Sequence, residues 1–195
     1  EQSSTWYSER IKLLAVEQKL ETTVMIPVGS EMWPVKMKGR IDRIDLKGES
    51  VLRIVDYKTG KVEKKDVKAG ESLAETLQDK ELKAKLFQLW MYKFLVKMEL
   101  QKAPEERIEA LKGLASERLT IEPGIISFRN FKDQLISSPL EFSEGEPETA
   151  FIQESNALIK HWVDELVSEE TVFEKTANLD QCTFCDFTSI CHRNV

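Results

Sequence analysis

Three residues stand out for the chemistry they could do together: Asp42, Asp56 and Lys58. All lie in GRIDRIDLKGESVLRIVDYKTGK, from Gly39 to Lys61. Two neighbouring carboxylates repel unless a cation compensates them. Magnesium suits that role, because it binds one or two carboxylates at about 2.0–2.1 Å and keeps several waters. Such an ion can acidify a bound water and neutralise charge on a phosphate. A lysine beside it can orient that water or stabilise the transition state. The chemistry suggested is hydrolysis of a phosphate ester.

Whether the acids meet depends on strand register. If Gly48, Glu49 and Ser50 form a three-residue turn, Lys47 sits opposite Val51 and Asp42 falls opposite Asp56. Ile44 then faces Ile54, Leu46 faces Leu52 and Arg40 faces Lys58. Side chains alternate along a strand, so Asp42, Asp56 and Lys58 share a face with Ile44, Leu52 and Ile54. Asp45 lies on the other face with Arg43 and Arg53. Directly opposed Cβ atoms stand about 4.5–5.5 Å apart. A two-residue turn would move Asp42 off Asp56. By spacing alone, the structural alternative stays open: Asp42 pairs with Lys58 or Arg40 as an ion pair, and Asp56 caps a turn.

The elements that must position these residues read as an α/β domain with a mixed sheet. Residues 3–20 are expected to be a helix, with Trp6, Ile11, Leu14 and Val16 apolar. Glu21–Val28, Trp33–Leu46 and Val51–Tyr57 read as strands. Lys58–Leu77 reads as a loop with some helix, and Asp79–Leu100 as a long helix. Pro104 opens a further helix to Arg118. Gly124–Asn130 is a short strand, Lys132–Pro147 is loop-like and partly extended, and Thr149–Val167 is a helix. The tail is irregular. No internal repeat or low-complexity segment appears, and residues 1–195 are expected to form one domain with a cysteine-rich tail over 178–195.

The chain has 195 residues and a net charge of −6, which argues against a general nucleic-acid binder. The charge is uneven, however. Residues 36–65 hold ten Lys/Arg against five Asp/Glu, a local +5, and 133–180 hold two against twelve, a local −10. The basic run overlaps the Asp–Lys stretch; a solvated charged surface is its plain alternative. There is no apolar run of about 18 residues, so no membrane span is expected, and no signal peptide is visible. Cys182, Cys185 and Cys191 are three cysteines crowded at the C-terminus. That is no disulfide scaffold, and it points to an intracellular, cytoplasmic setting. The chain begins at Glu1 and is expected to be a piece of a larger protein.

With GRID followed by DYK, the sequence resembles the PD-(D/E)xK nuclease superfamily. It is most similar to the RecB-like branch, which includes AddB subunits of helicase–nucleases and CRISPR-associated RecB-like exonucleases. LETTVMIPV resembles the preceding strand of that branch, whose acid here would be Glu21. QLWMY resembles its Q-x-x-x-Y helix and supplies Gln88 and Tyr92, which share a helix face at i, i+4. CTFCDFTSIC resembles the C-x2-C-x5-C tail of iron–sulfur members. The resemblance implies a restriction-endonuclease-like core in which Asp42 and Asp56, with the Tyr57 carbonyl, hold Mg²⁺ or Mn²⁺. Lys58 would position water for in-line attack on a phosphodiester. Glu21 would hold or orient a second metal or water, and Gln88 and Tyr92 would support the lysine or contact DNA.

The three cysteines would join a fourth, far upstream and outside this chain, around a 4Fe–4S cluster in the full-length protein. His192 is placed poorly to replace a cysteine beside Cys191, and His161 is expected at the surface or in the core. Arg129 could meet a phosphate. The implied partners are DNA ends or single strands and a helicase domain or subunit; no Walker-type phosphate loop occurs in this chain, so any motor lies elsewhere. The implied activity is that of a metal-dependent DNA-repair exonuclease, with little base specificity because the contacts are to phosphates. The rival is an inactive nuclease-fold module that binds DNA or serves as a metal-stapled scaffold.

Overall fold

The computed structural model describes residues 10–70, 72–78, 83–130, 134–138, 140, 150–172, 174–183 and 185–193. Its frame is a five-stranded sheet in the order β1-β2-β3-β4-β5. Strands β1 (Ile11–Val28), β2 (Glu31–Lys47) and β3 (Val51–Lys58) form an antiparallel meander. Strand β4 (Thr120–Ser127) runs parallel to β3, and β5 (Ile136–Ser137) antiparallel to β4. Parallel neighbours need a crossover. Here it carries α1 (Leu73–Gln78) and α2 (Ala84–Leu100), while α3 (Ala150–Val167) follows β5. A mixed sheet with flanking helices is the fold class expected.

Helix α2 is the organiser. Leu86, Leu89, Trp90 and Phe94 pack with Val24, Ile26, Ile125 and the α3 residues Phe151, Leu158 and Ile159. Tyr92, Leu95 and Val96 pack on Ile41, Ile44, Leu52 and Ile54. The indole N–H of Trp90 donates to Ser155 Oγ at 3.1 Å, so its burial leaves no donor unmet. Gly39 explains how close the helix comes: a Cβ there would lie 2.9 Å from Leu95 Cδ1 and 3.2 Å from the Tyr92 ring. The glycine lets α2 cross directly over β2, which sets Tyr92 and Gln88 against the strand ends.

Two expected helices are corrected. From Ile11 onward the helix expected over 3–20 is a strand; residues 1–9, with Trp6, lie outside the described residues. The physical reason is pairing. β1 runs beside β2 from Ile11↔Lys47 to Val28↔Glu31, and a full hydrogen-bonded ladder overrides a weak local preference. The register shift between Leu13 and Ala15 turns both Leu14 and Ala15 toward the core, which blurs any alternation in the sequence. The segment from Pro104 to Arg118 forms three short 3₁₀ turns instead of a helix. Buried Arg107 donates to the carbonyls of Leu100, Lys102 and Leu114. Glu99 Oε1 accepts the Ile108 N–H at 2.7 Å. These side chains satisfy the backbone that a helix would have satisfied internally. The long helix begins at Ala84, and residues 79–82 of the range expected for it lie outside the described residues. Among the described residues, no helix is long and apolar enough to cross a membrane.

Candidate active site

The β2–β3 ladder has the register that a three-residue turn dictates: Lys47↔Val51, Leu46↔Leu52, Ile44↔Ile54 and Arg43↔Val55. Gly48 takes the left-handed conformation in that turn, at φ +64°. The ladder stops at the next position, where Asp42 and Asp56 come opposite each other. There the Asp42 carboxylate takes over from the backbone: its Oδ2 accepts the Tyr57 N–H at 2.8 Å. β2 also changes phase here, since Ile41 and Ile44 both point into the core under α2. The acids therefore sit at a fork where β2 and β3 part.

Asp56 is only 2 % exposed. Its Oδ1 accepts from Gln88 Nε2 at 2.8 Å. Its Oδ2 forms an ion pair with Lys58 Nζ at 2.8 Å. Lys58 Nζ also donates to Gln88 Oε1 at 2.8 Å, and Gln88 Nε2 also donates to the Tyr92 hydroxyl at 2.7 Å. The amide has one possible orientation. An ammonium only donates and a carboxylate only accepts, so Oε1 must face Lys58 and Nε2 must face Asp56. Gln88 thus clamps the acid and the lysine together.

The electrostatics of this group are strained. Burial raises the Asp56 pKa, and the charge of Asp42 adds to it; Lys58 and Gln88 pull the other way without winning. Burial likewise raises the Tyr92 hydroxyl, helped by the charges of Asp56, Asp42 and Glu17. A carboxylate buried beside a like charge is costly as an anion.

Glu17 enters the site unannounced by sequence reasoning. Val16 pairs with Arg43 and Gln18 with Ile41, so Glu17 stands across from Asp42 where β1–β2 pairing lapses. Its φ is +51°, a left-handed conformation that is costly for a non-glycine residue. Its carboxylate pairs with Arg40 at 2.5 Å. The structure does not bring Glu21 to the acids. Glu21 pairs across the strands with Lys38, forms an exposed ion pair with Lys36 at 3.0 Å, and lies about 13 Å farther along β1 by the rise per residue. The signal that finds Glu17 is the Gly29–Ser30 turn. Counting back from Val28↔Glu31 at constant register reaches Glu17 opposite Asp42.

On the opposite face of the hairpin, Asp45 is fully buried. Arg53 grips both its oxygens at 2.6 and 3.0 Å, and Arg43 Nε approaches Oδ2 at 2.6 Å. The Tyr57 side chain also points to this side, accepting from Arg43 at 3.1 Å and stacking on Phe128. Arg129 is exposed just beyond β4, at the end of the sheet that carries Lys58; Phe128 N–H donates to the Lys58 carbonyl.

The remaining candidates are scattered. Cys182 is buried, Cys185 and Cys191 are partly so, and none is in a disulfide. His161 lies on the surface beside Glu165. Among the described residues, no three His, Cys, Asp or Glu side chains converge to hold a metal. The three thiols therefore do not form a ready cluster cradle. Asp42 and Asp56 are a different case. They are hard oxygen donors, and a buried carboxylate with a second carboxylate beside it has the character of a cation ligand.

The family model for the PD-(D/E)XK nuclease superfamily matches residues 3–192. No curated protein matches the chain at a significant level. A solved structure titled "Crystal structure of SSO0001" is similar at 18% identity and a TM-score of 0.33, over 91% of this chain and 59% of that one.

Proposed function

Because the chain belongs to the PD-(D/E)XK nuclease superfamily over residues 3–192, we propose that it is a metal-dependent deoxyribonuclease domain whose reaction centre is Asp42, Asp56 and Lys58. The observation that carries this is the buried Asp56 carboxylate, which has the like charge of Asp42 beside it and is held 2.8 Å from Lys58 Nζ and 2.8 Å from Gln88 Nε2. Asp42 and Asp56, with the main-chain carbonyl of Tyr57, would hold Mg²⁺ or Mn²⁺. When bound, such an ion supplies positive charge at the phosphate and lowers the pKa of water.

The protein's own groups do the rest. Lys58, beside Asp56, directs a water toward phosphorus and meets the negative charge that grows on the phosphate oxygens. Gln88 keeps the ammonium and the carboxylate at fixed separation, and Tyr92 holds the Gln88 amide from the far side. Glu17 replaces Glu21 as the β1 acid of the site, where it would orient a water or a second ion.

The same reading extends to a DNA exonuclease of the RecB-like branch, acting on ends or single strands beside a helicase domain or subunit in DNA repair. A 4Fe–4S site in a longer protein would require Cys182, Cys185 and Cys191 to draw together and a fourth thiolate from elsewhere. A second reading is an inactive nuclease-fold binding module. What favours it is that Glu17, Asp42 and Asp56 do not converge as three ligands. Labelled single- and double-stranded oligonucleotides with Mg²⁺, Mn²⁺ or chelator decide between them. The nuclease requires cation-dependent cleavage that Asp56→Ala abolishes; cleavage unchanged in Asp56→Ala ends the assignment.

A further inference from the structure

One turn of α2 ahead of Gln88 the surface changes character. A cavity of about 390 Å³ opens there, lined by Lys65, Asp66, Lys83, Ala84 and Lys85. Ala84 stands four residues before Gln88, so it lies one helical turn, about 6 Å along the axis, from the backbone position of the residue whose amide clamps Asp56 and Lys58. That is the scale of one backbone repeat of an extended nucleic-acid strand.

The charges around this cavity are unbalanced and held in place. Lys61 and Lys65 both pair with Glu63, at 2.5 and 2.9 Å. They hold its carboxyl down to about 2, so it stays an anion throughout. Glu63 and Asp66 close a reciprocal capping box on the 3₁₀ turn between them. Lys85 approaches Asp66 at 3.6 Å, and Lys83 donates to the Lys68 carbonyl at 3.0 Å. Lys61, Lys65, Lys83 and Lys85 thus stand around two acids whose oxygens also serve the backbone. The acids hold the lysines in place and, among the described residues, leave a net positive concavity.

We propose that this lysine-lined cavity takes a backbone phosphate of the substrate strand one or two nucleotides from the bond that is cut. Lys65, Lys83 and Lys85 supply the contacts. This rests on the nuclease assignment above and adds a direction: the strand leaves the reaction centre toward the N-terminal end of α2, past the turn formed by residues 63–66. Contact to phosphate alone carries no base preference.

The test is Lys65→Gln/Lys83→Gln/Lys85→Gln, with Lys112→Gln/Lys160→Gln/Lys175→Gln as a charge-matched control and thermal melts to verify folding. Binding of a fluorescein-labelled 12-mer of oligodeoxythymidylate is measured in chelator, where nothing is cut, over a series of salt concentrations. The expected result is an affinity loss of about tenfold and a salt dependence shallower by about 0.7 per lost phosphate contact. Cleavage of bis-p-nitrophenyl phosphate, too small to reach the cavity, stays at the wild-type rate. Wild-type affinity and salt slope in the triple variant overturn the proposal, as does an equal loss in the control. Absence of cation-dependent cleavage of any substrate by the wild type defeats the nuclease assignment instead, and the binding arm still reads the cavity by itself.

Discussion

The two faces of the β2–β3 hairpin carry the same raw materials and use them oppositely. On one face Asp45 is fully enclosed, with two arginines covering its oxygens at 2.6–3.0 Å. On the other, three residues away along β2, Asp42 opposes Asp56. Asp56 is nearly as buried, yet it is met by one lysine and a neutral amide, and burial and the like charge of Asp42 push its carboxyl up. A buried carboxylate gripped by two arginines has its charge compensated and nothing left to offer a ligand. One with a like charge beside it is a standing cost as an anion, and it is the natural place to look for binding and catalysis.

Breaking the closed face gives the largest effect. Asp45→Ala strands two arginines beside a buried void, and stability falls by about 3–5 kcal/mol, read by urea titration. Asp56→Asn does the reverse. Cleavage drops about 10²- to 10³-fold, the scale of removing a preorganised charge, while the metal-free protein melts at the same temperature or higher. A lower melting point in chelator would show that Asp56 is structural after all. Gln88→Ala has a smaller effect than either. It leaves the Asp56–Lys58 pair unclamped, and kcat falls about 10- to 100-fold, as for other supporting contacts, with oligonucleotide affinity unchanged.

The pH dependence follows from the sign of the Asp56 shift. Its folded pKa is raised, so the folded protein binds the proton more tightly than the unfolded chain does. The stability this contributes is complete below the unfolded carboxylate pKa and is lost as pH rises through the folded value. The melting-temperature advantage of Asp56→Asn over wild type in chelator therefore grows as pH rises through the carboxylate range and then levels off. Added Mg²⁺ or Mn²⁺ should stabilise wild type in the same upper range by mass action. The smallest effect tests the strand assignment: Glu21→Gln removes an exposed pair and changes stability by less than about 1 kcal/mol, with cleavage intact. Glu17→Gln lowers cleavage.

Much of the site could be read before any coordinates. Ile44, Leu52 and Ile54 can be buried together in only one phase, and Gly48 ends the hairpin, so the pairing that aligns Asp42 with Asp56 follows from local chemistry. Gln88 and Tyr92 share a face because four residues make about one helical turn. Glu17 and β1 escaped because their signals are not local. Leu14 and Ala15 both turn inward at a register shift, and a strand that is bulged and mostly exposed looks like a weak helix. Arg107 is similar: nothing in its own neighbourhood says that it will gather three carbonyls and dissolve a helix into turns.

By itself, the order of residues determined the hairpin register, the apolar stripe of α2 and the presence of two acids and a lysine at one strand end. These depend on contacts within a few residues or across one tight turn. Only the tertiary structure decided that Gly39 would let α2 descend onto β2, that Gln88 would lock Asp56 to Lys58, and that Glu17 rather than Glu21 would stand beside them. Those outcomes need segments far apart in the chain to be brought into contact, and their energies exist only once the core has closed around them.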